Sequence, residues 1–594
     1  MCGFLGIASR ETINKNNLFL ENKRIECRGP DETKHILDSN DELNLEIIFN
    51  RLSILELTNY GSQPLTDDSK NYLMVFNGEI FNYIELKKYL EKKGIKFKSK
   101  NSDSEVLFQG LIHEGKSFIS KLIGQFSTVF IDKEKKEILL FRDRTGQKPL
   151  FYTYDEHNLF FGSNLISVSN TADLKEIDNP GVKEFLNIGV ITSPNTIFKN
   201  IYKVKPGEII KFNFRNSIKK ENYFYWKSTD YISENLEFNN YEFDKLISDC
   251  IEIRMRSDVP VAAFCSGGLD STLIIKKLFD LGINVPTFSV VNKNPQYDES
   301  KYINQVIKKY KNEYTLKEID TVVKFVDILE NIYNFDEPYM DASNQPSSFI
   351  LEEISNKFKV AISGDGGDEI FFGYDRFQKE IRLLKLNKYF INLLYFFYPG
   401  WIGTGNKILR YSSDYKESYS SYFEDRKFLK LLGFKRNSFI KEKYLNNCQN
   451  KLKNLLILEN SFYLSEMMNL KIDRTSMMHS VEVRSPFVDH RLIEYILSCK
   501  TNTINYKFPK KYVKEILVED FDKEFLERPK MGFVFDLEKI IYENKEKIIE
   551  IIINSQLKEH VPKLNLNILF LRKSRINSQR IFKLLILALF IENN

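Results

Sequence analysis

Short runs of β-forming residues punctuate the first third of the chain: Phe4–Ala8, Glu46–Phe49, Leu73–Phe76, Phe126–Ile131, Ile138–Phe141 and Leu159–Phe161. Their lengths and their aromatic and branched side chains predict strands bounded by turns. Between them, Tyr83 to Lys93 carries apolar residues at helical spacing and stops at Gly94, as a glycine just past a helix end would. This mixture predicts a layered α+β unit. The turn Lys205-Pro206-Gly207-Glu208 and the polar stretch Asn213–Asn222 place its end near residue 212. The expected domains are therefore 1–212 and 213–594.

The rhythm then changes. A helix from Tyr241 to Met255 precedes a strand, Pro260–Phe264, a glycine loop, and a helix from Ser271. Val285–Val290 predicts a strand, Ser300–Lys311 a helix and Lys359–Ile362 a further strand. Strands and helices alternating at this spacing imply a doubly wound parallel sheet. Beyond Phe371 the pattern is mainly helical. The most apolar stretch, Tyr389 to Gly403, is broken by Asn392, Pro399 and Gly400 and is too short to span a bilayer. A buried helix end and turn is the expected reading, with a peripheral membrane contact as the lesser alternative.

Composition narrows the class. A chain of 594 residues exceeds what one core organises, and 42% hydrophobic with 28% charged residues is ordinary for a globular protein. Lys+Arg number 86 against Asp+Glu 81, which gives no reason to expect nucleic acid or an anionic membrane as the main partner. The six cysteines, at 2, 27, 250, 265, 448 and 499, form neither a CxxC pair nor a Cys/His cluster. A reducing cytoplasm is expected. Met1-Cys2-Gly3-Phe4 lacks the basic leader and apolar core of a secretory signal.

Candidate chemistry begins at Cys2. Removal of Met1 would leave a thiol and a free amine of pKa ~8 on one residue, so the amine can take the thiol proton without a histidine. Arg51 closes a strand and its planar fork can grip a carboxylate. Asn77 and the Gly78 N–H, after Leu73–Phe76, suit a developing oxyanion. Asp103 can bind an amino acid's ammonium. Each has a plainer alternative: a surface ion pair, an Asn-Gly hairpin turn, a helix N-cap.

A second centre lies in Ser266-Gly267-Gly268-Leu269-Asp270-Ser271, between an apolar strand and a helix. Its glycines let backbone N–H groups approach an oxyanion, and Asp270 stands where Mg²⁺ on phosphates would need a carboxylate. A lysine after the glycines is missing, so this is not the Walker pattern. Ser363-Gly364-Asp365-Gly366-Gly367-Asp368-Glu369 follows another strand. Two such loops fit a ligand cleft at the carboxyl edge of a parallel sheet, and so many acids beside a nucleotide predict metal dependence.

Met1-Cys2-Gly3-Phe4-Leu5-Gly6, Arg28-Gly29-Pro30-Asp31, Arg51-Leu52-Ser53-Ile54, Asn77-Gly78-Glu79, Ser102-Asp103-Ser104-Glu105 and the run Arg142 to Leu150 occur in the order of the class II glutamine amidotransferases. The resemblance implies an N-terminal-nucleophile αββα sandwich that hydrolyses glutamine. It implies Cys2 as nucleophile, Asn77 and Gly78 as oxyanion hole, and Arg51, Glu79 and Asp103 as glutamine-binding groups. Cys27 departs from the family, which commonly has His there.

The Ser266–Ser271 loop resembles the PP-loop of ATP pyrophosphatases, and the second part as a whole is similar to the synthetase domain of asparagine synthetases. That likeness implies ATP and Mg²⁺ as cofactors, with Asp270 and Asp368 holding the metal. It implies that Ser266, Gly267, Gly268 and Ser271 cradle ATP and that Ser363 and Gly364 contact AMP. Asp365 would lie beside an acyl-adenylate, with Phe264 and Val290 against the adenosine. Asp473 to Asp489 matches a long family signature in which Glu482 and Arg484 support the site. A family lysine aligns with Arg474, with Lys471 one turn earlier; either cation could steady the phosphorus, and because an arginine cannot act as acid-base, transition-state electrostatics is the expected role of Arg474. Arg528 to Phe533 also fits, without the usual proline downstream. His479 reads as a packed helix residue.

The implied function is amidation of a carboxylate: glutamine supplies ammonia, ATP activates the acid, and a protected passage joins the sites. Aspartate is the default acceptor, with another carboxylate such as a uronic acid sugar as the alternative. The implied partners are these small molecules, with no nucleic acid, no membrane span, and a homodimer admitted.

Overall fold

The computed structural model describes residues 2–594 except 14–16, 40–42, 216, 293–297, 320–323, 342, 436–437, 445–449, 505 and 529–535. Its first unit holds two six-stranded antiparallel sheets. Cys2–Ser9 lies inside the first, between Asn44–Arg51 and Asn158–Gly162; Tyr72–Ile80 lies inside the second, beside Gly124–Asp132. Strand alternation decides what each sheet buries. Cys2, Phe4 and Ala8 face the layer shared with Leu73, Val75 and Val129, whereas Leu5 and Ile7 face the helices Leu165–Ala172 and Asn179–Ile188. On the second sheet Met74 and Phe76 turn outward to Tyr83–Glu91 and Asp103–Glu114. The result is an αββα sandwich.

All six predicted strands are present, and Gly94 adopts φ +85° just past the helix Tyr83–Glu91. The boundary at 212 needs correction. Lys219–Phe224 pairs along its whole length with Glu208–Asn213, so ladder hydrogen bonding carries the first unit on to Phe224.

The second unit is built on a five-stranded parallel sheet with spatial order Tyr314–Ile319, Thr287–Asn292, Val261–Phe264, Val360–Ile362, Glu482–Arg484. The chain winds outward from Val261–Phe264 in one direction, then returns to its other side at Val360–Ile362. That reversal opens a crevice between the carboxyl ends of those two strands, the usual ligand position in such sheets. Both glycine loops leave from there. The helix expected over Tyr241–Met255 is α-helical for Asn240–Glu252 and tightens to a 3₁₀ turn at Ile253–Met255.

Two features differ further from expectation. Tyr314–Ile319 and Glu482–Arg484 are strands that periodicity did not reveal. The Tyr389–Gly403 stretch is not buried: in the helix Lys388–Phe397 only Ile391 and Tyr395 are covered, while Tyr389 and Phe397 are 74% and 72% exposed. The carboxyl-terminal helix Arg575–Asn593 returns to the first unit, packing Phe590 on Phe198 and donating from Lys583 Nζ to the carbonyls of Leu186 and Asn187. No helix among the described residues is long and apolar enough to cross a membrane.

Candidate active sites

Cys2 opens a strand that points inward between the sheets, and it is 6% exposed. Its backbone N–H donates to Asn77 Oδ1 at 3.1 Å. That contact orients the amide so that Asn77 Nδ2, fully buried, is without a hydrogen-bond acceptor among the described residues. A buried donor left this way is costly unless something accepts from it, which fits an oxyanion formed beside Cys2. Gly78 sits at φ +149°, and a Cβ there would meet Gln125 O at 2.0 Å, so the close strand approach admits only glycine. Burial pushes the Cys2 thiol up, against the positive amino terminus, the Leu52 N–H and Arg51. A protonated thiol needs a base.

Arg51 occupies a different kind of place from an open fork. It donates to the carbonyls of Leu55, Glu56 and Thr58 and stands 3.5 Å from Glu32, buckling the loop that follows its strand. Glu79 shares the inward face with Asn77. Asp103 opens the helix Asp103–Glu114 and accepts from the N–H groups of Ile80 and Ser104 at 2.9 and 2.7 Å. Ser102, rather than Asp103, provides the N-cap, accepting from Glu105 N–H. Burial raises Glu79 well above the carboxylate range, with Asp103 and Glu482 adding repulsion and Arg484 opposing it. Asp103 is likewise pushed up to about 6, chiefly by burial.

This gives a pH prediction. A raised carboxyl is ionised only above its shifted value, so the charge able to hold an ammonium is lost as pH falls through about 6. The KM for glutamine should rise several-fold between pH 7 and 5.5 while kcat changes less. A flat KM over that range would remove Asp103 from glutamine binding.

The second cleft has a volume of about 710 Å³ and is lined by Phe264, Ser266, Gly268, Asp270, Ser271 and Val290 from one side and Ser363, Gly364, Asp365 and Asp368 from the other. The loops interlock: a Cβ on Gly364 would lie 2.9 Å from Ser271 N, and one on Gly367 2.6 Å from Asp270 Cγ. Gly267, at φ +67°, turns the first loop, though it is not among the lining residues. The Asp270 and Asp368 carboxylates converge on one point, marked by the Lys510 ammonium, which contacts Asp270 and lies 2.7 Å from Asp368 Oδ1. Two carboxylates closing on one cation position suit Mg²⁺, which takes one or two protein carboxylates plus phosphate oxygens. Lys510 is a site residue that the sequence reading passed over.

Arg474 is corrected. On the helix Asn469–Met477, Lys471 and Thr475 face the cleft. Arg474 leaves by the flank turned to the first unit, where it bonds Asp336 at 2.8 Å, Glu337 at 2.9 Å and Asp473 at 3.2 Å. Asp473 in turn takes both amino groups of Arg28, at 2.9 and 3.0 Å. Lys471, donating to Ser343 at 3.2 Å, is the cation of this helix that reaches the cleft. Arg474→Ala would leave Asp336 buried without its ion partner, holding only the Leu165 N–H, and would leave Glu337 to Lys203 alone, so a loss of roughly 3–5 kcal/mol in stability is expected. Thermal unfolding of the variant checks this; a normal midpoint with lost catalysis would return Arg474 to the chemistry.

The strand Glu482–Arg484 touches both sites. Val483 lines the cleft, while Arg484 points the other way: its Nη2 comes within 3.6 Å of Glu79 Oε1, its guanidinium lies over Phe81, and its Nε donates to Glu482 at 2.5 Å. Of the motif from Arg528 to Phe533, only Arg528 lies within the described residues. It lines the cleft, over the Tyr302 ring at 4.3 Å. Cys27 is exposed and its carbonyl accepts from Ser480; His479 is half-buried and bonded to Ser348 at 2.7 Å.

Residues 1–226 match the family model of a glutamine amidotransferase domain, and residues 242–576 match that of asparagine synthase. The chain belongs to the asparagine synthase family. Glutamine-hydrolysing asparagine synthetase 1 of Bacillus subtilis is 31% identical over 64% of this chain and 60% of its own length. A putative glutamine-hydrolysing asparagine synthetase 2 of Methanocaldococcus jannaschii is 33% identical over 63% and 76% respectively. Asparagine synthetase 2 of B. subtilis is 24% identical but aligns over 90% of this chain and 72% of itself. The matched regions meet between 226 and 242, past the hairpin that closes the first sandwich.

Proposed function

We propose that this chain is a glutamine-dependent amidoligase that converts aspartate to asparagine, with glutamate, AMP and pyrophosphate as co-products. The observation that carries the reading is the pairing of two chemistries in one chain: a buried thiol beside an unmatched amide donor, and a cleft where two carboxylates converge at the sheet reversal. In the first site the α-amine of Cys2 takes the thiol proton. Sγ then attacks the glutamine side-chain amide, and Asn77 Nδ2 with the Gly78 N–H holds the oxyanion. Ammonia leaves with the proton and water releases glutamate from the thioester. Glu79 and Asp103 hold the substrate ammonium, and Arg51 secures the loop above it.

In the second site Ser266, Ser271 and the glycine N–H groups hold phosphate oxygens at the helix amino terminus. Asp270 and Asp368 would hold Mg²⁺, which when bound draws charge from the α-phosphate and from departing pyrophosphate. The aspartate side-chain carboxylate attacks the α-phosphorus, and Lys471 and Lys510 lie in reach of the charge that develops there. Ammonia displaces AMP from the acyl carbon. Support for aspartate comes from the naming of the relatives. A product assay with glutamine, ATP, magnesium and a panel of acids tests it: asparagine, glutamate and AMP should form in equal amounts with aspartate. Pyrophosphate release that answers only to a uronate would overturn the acceptor assignment.

A further inference from the structure

We infer that the excursion between Leu386 and Ser412 is a docking surface for an anionic lipid bilayer, on which the protein rests without crossing it. The segment is a closed unit. Leu386 N donates to Tyr411 O at 2.7 Å and Ser413 N to Leu386 O at 2.8 Å, so the chain leaves and returns at one point. It carries the ten-residue helix Lys388–Phe397, begun by the Asn387 side chain accepting from Tyr389 N–H. Ile391 and Tyr395, one turn apart, anchor this helix against Leu409. Its remaining apolar side chains, Tyr389, Phe390, Leu393, Leu394, Phe396 and Phe397, are 44–74% exposed. Trp401, just beyond, is 46% exposed. Single exposed apolar residues are ordinary; six on one short helix form a patch that marks an interaction site.

Charge identifies the occupant. From Ile381 to Ser413 there are five cations, Arg382, Lys385, Lys388, Lys407 and Arg410, and no Asp or Glu. Lys385 is tied to Glu380 at 3.0 Å, whereas Arg382, Lys388 and Lys407 are exposed and form no ion pair among the described residues. In a chain whose overall charge is close to balanced, this is a local departure. Aromatic and aliphatic side chains rimmed by lysines fit the boundary between acyl chains and acidic headgroups. A second copy fits less well, because a two-fold contact would set these cations against themselves. The helix is about 15 Å long against ~30 Å of hydrocarbon, so it lies in the surface plane. The platform is fixed to the body: Arg580 donates to Gly400 O at 2.7 Å, and Lys427 to Phe396 O at 3.2 Å.

Sedimentation of the full-length protein with vesicles tests this. Binding is expected to phosphatidylcholine vesicles that carry phosphatidylglycerol, not to phosphatidylcholine alone, and should weaken with salt. Trp401 emission should shift to the blue on binding; Trp226, the other tryptophan, is 8% exposed and already buried. Replacing Phe390 and Phe397 together by Ser should weaken binding about tenfold or more while glutamine hydrolysis is unchanged. Lys388→Glu with Lys407→Glu, which leaves the apolar face intact, should do the same. Failure to bind acidic vesicles, equal binding to neutral ones, or a dimer in solution that the Phe390 and Phe397 changes dissociate would each overturn the proposal.

Discussion

Cys2→Ala should abolish glutamine-dependent synthesis, lowering glutamate release by on the order of 10⁴-fold or more, and leave ammonia-driven synthesis close to normal. The substitution removes a single sulfur from a buried strand position whose neighbours Phe4 and Ala8 remain packed, so the sandwich keeps its shape. The N–H of residue 2 still reaches Asn77 Oδ1, and the Asn77 amide and the Gly78 N–H stay where they were. What disappears is the bond-forming atom. Ammonium salts at alkaline pH supply the free base without the first site, and the second cleft shares no side chain with Cys2. AMP formation measured with glutamine and with ammonium separates the two activities. A folded variant that loses both would sink the division of labour.

Asp270→Asn is the complementary experiment. The replacement keeps the shape of a side chain wedged against Gly364 and Gly367, so the interlocked loops should survive. It removes one of the two charges that converge at the Lys510 position. The expected loss in AMP and pyrophosphate formation is about 10²–10³-fold, with glutaminase activity retained within a few-fold. Raising magnesium should recover part of the loss, since binding and not geometry has been weakened. Unchanged ATP turnover would count against the metal role of Asp270 and Asp368.

Much of this architecture can be read from residue order, for a physical reason. Alternation in Phe4–Ala8 and Leu73–Phe76 reports two buried faces, and it carries Cys2, Asn77 and Glu79 to the layer between the sheets. The glycine loops announce themselves because glycine tolerates the close approach that Gly364 and Gly367 make to Asp270. Other features have no local signature. Glu482-Val483-Arg484 reads as exposed, yet all three residues are buried, because an internal ion pair offsets the cost of their charges. Lys510 is one lysine among many until folding sets it against two aspartates from distant loops. Arg474 carried a family position, and only the helix flank it leaves from reveals that it binds Asp336 and Glu337 instead. The Tyr389–Gly403 run shows the remaining ambiguity: hydropathy measures what a side chain prefers, and it cannot say whether protein or another apolar phase meets that preference.

The three-residue strand that shows Val483 to one centre and Arg484 to the other bears on how such enzymes can be recombined. A chimaera joining the sandwich of this chain to the nucleotide half of a relative would inherit a seam at Glu79, Asp103, Glu482 and Arg484 whose charges were matched within one lineage. Exchange of whole halves should therefore give proteins that fold yet respond poorly to glutamine, and transplanting residues 482 and 484 with the sandwich should restore the response.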